Sequence, residues 1–251
     1  MYLVAIHGID PKNTTLAPTL ARLLGCTAYE ARGRLVSVGP SVIAHGSESR
    51  PLQTLASQLK AAGFRVLLLN TAAIERSGLW WDARSFELSP TAWRITTRDG
   101  ERTVMKWRQV SLIVRGKSRI ETSTTEVHHG KRFSAARAVA SGGMVRKKKV
   151  RTETTKAGTD HEGFLHIYGP GSVIVIRESD ITYTGLGAHL KTTRNANFTT
   201  LIEVLKRRTS HAPFDDRLLR HAGLVQILGP TLDPASHTHL ASALLATVAA
   251  L

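Results

Sequence analysis

The sequence predicts an α+β protein: a small βααβαβ unit, then a sandwich or partly open barrel of short strands with a closing helix, then a helical tail. Three observations carry this expectation. Over the first seventy residues, short apolar runs and helical periods follow one another in the order β-α-α-β-α-β. From Thr91 the texture changes to brief β-prone runs broken by turns such as RDG, RGKS and GPGS. Beyond them, Phe198, Leu201, Ile202 and Leu205 fall at i, i+3, i+4 and i+7, the stripe of an amphipathic helix.

Taken in order, YLVAI (residues 2–6) is the first strand, and LAPTLARLLG places Leu20, Leu23 and Leu24 on one face of a helix that Gly25 ends. Thr27 and Glu30 stand in capping-box spacing and open a second helix. SVIAHG (41–46) is a strand. SRPLQTLASQLKAAG is a third helix, with Pro51 in its first turn and Gly63 at its end, and FRVLLLN is the closing strand. The expected result is a unit over residues 1–73 with helices on one face of a small antiparallel sheet. TAAIERSGLWWDARSFELSP loses periodicity and reads as a linker over 74–90, whose Trp80 and Trp81 either dock on a domain surface or mark a partner site.

The β-rich part spans residues 91–209, in the runs AWRITT, RTVMKWRQVSLIVRG, RIETSTTEVHH, GFLHIYG and SVIVIRES, and ends on the helix NANFTTLIEVLKRR, capped by Asn195 or Asn197. Residues 210–251 predict two helices, one begun by Asp215 and Asp216 and one by Asp233 with Pro234. In the second, Leu240, Leu244, Val248 and Leu251 form a stripe that either packs on the body of the protein or docks a partner or a second copy.

Charge is unevenly spread. The chain carries 34 Lys and Arg against 19 Asp and Glu, a formal +15, and residues 91–160 alone carry 17 against 6. The peak is MVRKKKVR (144–151), in an insertion at 128–160 whose first part, RFSAARAVASGG, reads as a short Ala-rich helix. Lys131, Arg132, Arg137, Arg146, Lys147, Lys148, Lys149 and Arg151 are the candidate contacts to an anionic partner. Phe133 is the aromatic near them, and no helix-turn-helix, zinc-finger or ribonucleoprotein signature accompanies them, so salt-sensitive adhesion to a polyanion is expected rather than base readout. The insertion is expected to lie open to solvent because its like charges repel.

The chemical constellations of common enzymes are absent from the sequence. His128 and His129 point to opposite faces of a strand, GPGS (169–172) joins two strands as a hairpin turn, and no G-x-S-x-G or Walker-type loop occurs. Cys26 cannot pair within the chain. MYLVAIHGID lacks the pattern of a secretory leader, and ASALLATVAAL falls well short of the roughly 20 residues that span a bilayer. A cytoplasmic protein without catalytic residues, metal, cofactor or integral membrane association is expected.

Two resemblances add to this reading. The glycine between the first helices, the EAR-x-x-LV run from Glu30 to Val36, the Pro40 turn and AAGFRV make residues 2–70 similar to the C-terminal domain of the bacterial ribosomal stalk protein. That family recruits translation GTPases through exposed side chains of its paired helices. Tyr29 and Arg32 stand here in place of the lysine-rich pattern, and the resemblance implies a helical face offered to another protein. The barrel with a closing helix, together with VMKWRQVSLIVRG, resembles a bacterial pleckstrin-homology-like domain, which implies binding or regulation rather than chemistry; TTRDGERT, whose arginines are offset by Asp99 and Glu101, does not form that superfold's headgroup loop. The expected function is a non-catalytic protein-interaction or regulatory module with an unidentified protein partner; the alternative is non-specific nucleic-acid or anionic-surface binding through residues 131–151.

Overall fold

The structure is a computed structural model that describes residues 1–10, 12–13, 15–35, 39–72, 79–133 and 147–251, and of 79, 119–133 and 147–160 the backbone alone. It is a mixed α+β fold with one three-stranded and one seven-stranded sheet. Residues 1–118 and 162–251 form one compact unit, and residues 119–161 form another.

The first sheet follows the expected order. β1 (Tyr2–His7), α1 (Leu16–Leu24), α2 (Ala28–Arg34), β2 (Ser41–Gly46), α3 (Ser49–Ala61) and β3 (Arg65–Asn70) give an antiparallel sheet in the order β2-β1-β3. Gly25 caps α1 at φ 63°, in the left-handed region that a Cβ disfavours, and passes the chain to Thr27. There the capping box forms: Thr27 Oγ1 accepts from the Glu30 N–H, and the Glu30 carboxylate accepts from the Thr27 N–H at 2.8 Å. One face of this sheet, with Val4, Ile6 and Ile43, packs on Leu20 of α1, Ala31 of α2 and Leu52, Ala56 and Leu59 of α3.

The other face is buried too. Leu3, Ala5 and Val42 enter a second core with Leu112, Val114, Phe164, Tyr168 and Val173 of the larger sheet. The same core takes Leu224, Ile227 and Leu228 from α5 (His221–Leu228) and Leu240, Ala241, Leu244 and Leu245 from α6 (Thr238–Ala249). The first sheet and the larger sheet therefore share a core within one compact unit.

The larger sheet has the order β10-β7-β8-β9-β4-β5-β6. Its strands are β4 (Leu79–Leu88), β5 (Ala92–Thr97), β6 (Arg102–Lys106), β7 (Leu112–Phe133), β8 (Lys147–Gly169), β9 (Ser172–Arg177) and β10 (Phe214–Leu218). Its far face carries Ile95, Ile113, Leu165, Ile167, Ile174 and Ile176 against Phe198, Leu201, Ile202 and Leu205 of the closing helix α4 (Arg194–Arg208). Trp93 and Trp107 stack within this core at 5.7 Å. GPGS is a hairpin turn between β8 and β9, with Gly169 opposite Ser172.

Four expectations are corrected. The residues taken for a linker contain β4, ten residues long, which pairs parallel with β9 through its first half and antiparallel with β5 through its second. Asp215 and Asp216 lie on a strand, β10, not at a helix start; Asp215 and Arg217 are paired at 2.6 Å, an i, i+2 contact that a strand places on one face. β10 adds parallel to the edge of β7 on which closure of a barrel would depend, so the sheet is open, ending in β10 and β6. Thr193, not Asn195 or Asn197, caps α4, because the Asn197 amide is drawn into a pair of hydrogen bonds with the Lys191 backbone.

The tail differs in detail. The Asp233 carboxylate accepts from the backbone N–H groups of Ala235 and Ser236, forming a turn ahead of α6, which begins at Thr238. Leu240 and Leu244 are buried as expected, whereas Leu251 is 79% exposed.

Candidate functional site

Alternation along β4 and β9 builds one wall of a cavity, with β8 packed beside them. On β8, Phe164, His166 and Tyr168 share the face that looks away from α4; on β9, Val173 and Val175 do the same. β4 continues the row, with Trp80 beside Val173 and Asp82 beside Val175. Trp81 points to the opposite face and packs against the core beneath α4. The two tryptophans that the sequence singled out are thus separated by the pleat.

The remaining walls come from both ends of the chain described here. Met1 and Thr71 contribute from the first sheet, where Thr71 donates its N–H and hydroxyl to the Met1 carbonyl at 2.9 and 3.0 Å. Ser236, His237, His239 and Leu240 contribute from the turn before α6 and its first residues. Together with Trp80, Asp82 and Val175 they enclose about 570 Å³, within the range of small-molecule sites.

Trp80 and His239 of the wall contact a cluster of rings in which His166 and Tyr168 lie behind the lining. Trp80 meets His239 at 5.2 Å and 73°, His166 at 5.4 Å and 85°, and Tyr168 at 6.4 Å and 79°. His239 lies nearly parallel to His166, centroids 4.9 Å apart. Behind them the Tyr168 hydroxyl is buried in a 2.7 Å hydrogen bond with Ser242 of α6. That burial pushes the phenol well above its ordinary range.

Charge at the site is balanced. Arg177 donates to Asp82 at 2.7 Å across the row. His166 is fully buried, and among the described residues its Nδ1 lacks a hydrogen-bond partner. Burial first, then the positive fields of His239 and Arg177, hold its imidazole well below the usual range, so it is neutral. Burial and Arg177 also lower His239, against an opposing pull from Asp82.

Most polar groups on the wall are engaged in structure. Ser236 Oγ donates to Asp233 at 2.6 Å, His237 Nδ1 lies 3.0 Å from the Asp233 carbonyl, Thr71 serves Met1, and Asp82 serves Arg177. No hydroxyl here is hydrogen-bonded to an imidazole as a nucleophile would be to its base. Among the described residues no group of three or more His, Cys, Asp or Glu side chains is placed to hold a metal ion, and no helix is long and apolar enough to cross a membrane.

Of the described candidates named from sequence, Trp80 alone lines this cavity. Tyr29 and Arg32 are on α2, both exposed, Tyr29 at 87%. Lys131 and Arg132 lie on β7, and Lys147, Lys148, Lys149 and Arg151 on β8, strands that neighbour one another in the sheet. Arg137, Arg146 and most of the expected Ala-rich helix lie outside the described residues. His166 and His239 were missed. For His166 a signal existed: it is the one polar residue at the inward spacing of Phe164 and Tyr168 in FLHIY. Comparison with protein-family models, curated proteins and solved structures finds no match, so the ribosomal-stalk and pleckstrin-homology likenesses rest on element order and short motifs alone.

Proposed function

We propose that the protein is a non-catalytic regulatory or interaction module that takes a small apolar ligand into the cavity between the first sheet, β4, β9 and the start of α6. The observation that carries this reading is the state of the cavity wall: rings and aliphatic groups surround about 570 Å³, while its hydroxyls and its carboxylate are committed to intramolecular partners. A ligand touching all three walls stabilises the seam between the first sheet and the C-terminal helix. A protein partner then meets an outer surface, for which exposed Tyr29 and Arg32, one helical turn apart on α2, are the proposed contacts.

The test is denaturation with a panel of uncharged apolar fragments. A binder present at a hundredfold its dissociation constant adds about 2.7 kcal/mol to the unfolding free energy, and Ser236→Trp, which fills the mouth from an exposed position, abolishes the gain. Failure of every fragment to stabilise the wild type, equal stabilisation of Ser236→Trp, or conversion of a fragment would overturn the reading.

A second reading, contact with a polyanion, is favoured by the succession of Lys147, Lys148, Lys149 and Arg151 along one strand, with Lys131 and Arg132 on its neighbour. It predicts that replacing Lys147, Lys148 and Lys149 by Ala weakens RNA or DNA retardation and lowers the salt slope by about 1 to 2, since successive residues of a strand face opposite sides. An unchanged slope would remove it.

A further inference from the structure

We propose that the ligand is an uncharged planar aromatic molecule carrying a hydroxyl or N–H donor that it gives to a ring nitrogen of His239. This deepens the cavity reading above and rests on it.

Shape argues first. Trp80 and His239 meet at 73° with centroids 5.2 Å apart, so two rings form a corner of the wall. A third flat ring placed there sets its face on one and its edge on the other, the two arrangements that aromatic quadrupoles favour. Leu240, Val175 and Met1 complete an apolar surround that rewards a hydrocarbon ring and offers little to a polar chain.

Charge argues next. The one carboxylate on the wall, Asp82, is already paired with Arg177 at 2.7 Å. An ionic ligand leaves water without gaining a free counter-charge, and desolvation without a partner is costly. An uncharged ligand avoids that cost.

Unspent polar atoms define the rest. Among the described residues, the ring nitrogens of His239 carry no hydrogen bond, unlike the hydroxyls of Ser236 and Thr71. A neutral imidazole presents one acceptor nitrogen, and a ligand O–H or N–H is its natural partner. The groups that face His239 are His166 from β8, Arg177 from β9, Asp82 from β4 and, on its own segment, His237. Burial and Arg177 favour the neutral ring, and Asp82 opposes them. Acidification through the His239 titration removes the acceptor, so the donor's advantage shrinks as pH falls.

The experiment is calorimetric titration of the full chain with naphthalene, 2-naphthol, 2-naphthoate and 2-naphthylmethylammonium. The expected order places 2-naphthol about five- to tenfold tighter than naphthalene, the worth of one hydrogen bond, with both ions weaker than naphthalene. His239→Phe removes the acceptor, so in that variant 2-naphthol loses its five- to tenfold preference over naphthalene. Equal binding of naphthalene and 2-naphthol, preference for either ion, or an unchanged preference in His239→Phe overturns the ligand class while leaving an occupied cavity. Binding of none of the four sinks the class and the cavity reading together. Binding of an indole-bearing peptide but of no free ring assigns the cavity to a partner's side chain and overturns the proposal.

Discussion

Gly229→Ala is expected to lower the unfolding free energy by about 2–6 kcal/mol, and to do so in one transition that the tryptophans report. Gly229 follows α5 with φ 72° and ψ −176°, a combination essentially confined to glycine, and a Cβ built there would stand 2.4 Å from the Val42 carbonyl oxygen of β2. Backbone strain of about 1–3 kcal/mol adds to a displacement of similar cost. The four tryptophans, at 80, 81, 93 and 107, all lie in the part of the chain that builds the larger sheet. Because Val42, α5 and the larger sheet share a core, tryptophan fluorescence and far-ultraviolet dichroism should give one coincident denaturant midpoint, lowered in the variant. Separate midpoints, or a variant whose fluorescence transition stays at the wild-type midpoint, would contradict the shared core.

His166→Leu is the second. The folded pKa of His166 is depressed by burial, while the unfolded imidazole titrates near 6.5. Below that value the unfolded chain binds a proton that the folded chain refuses. The stability this residue protects is complete above about pH 6.5 and is lost on acidification, at up to about 1.4 kcal/mol per pH unit, down to the folded pKa. His239 acts in the same direction from a more open position. Denaturant titrations between pH 7 and 5 should therefore show a steep acid loss in the wild type, and His166→Leu should remove the larger part of it. An unaltered acid slope would mean that His166 is hydrated or already protonated in the folded protein.

Local order was legible because local chemistry sets it. Gly25, Thr27, Glu30, Pro51 and Gly63 punctuate the first unit where the structure places its helix ends, and the i, i+3, i+4, i+7 stripe locates α4. What local chemistry does not state is which surfaces are covered twice. LVAI in β1 and VLLL in β3 are continuous apolar runs, the mark of a strand buried on both faces rather than one. Read in that way, they ask for a second cover that residues 1–73 do not supply, and α5, α6 and the larger sheet provide it. β4 was hidden because LWWDARSFEL mixes charges into its alternation, and β10 because a pair of aspartates suits a helix start as well as a strand with an arginine two residues on. The cavity was not legible at all: Met1, Trp80, Val175 and His239 are distant in sequence and are neighbours only through the pairing of β4 with β9 and the return of α6.

One core joins the first sheet, the C-terminal helices and the larger sheet, and only that union builds the cavity. Native-state hydrogen exchange tests it most directly. Amides of Val4 and Leu67 in the first sheet and of Leu165 and Val175 in the larger one should open with the same free energy, within about 1 kcal/mol, and fall together in Gly229→Ala. A first sheet that opens several kcal/mol more readily than the second, leaving Leu165 and Val175 protected, would contradict it.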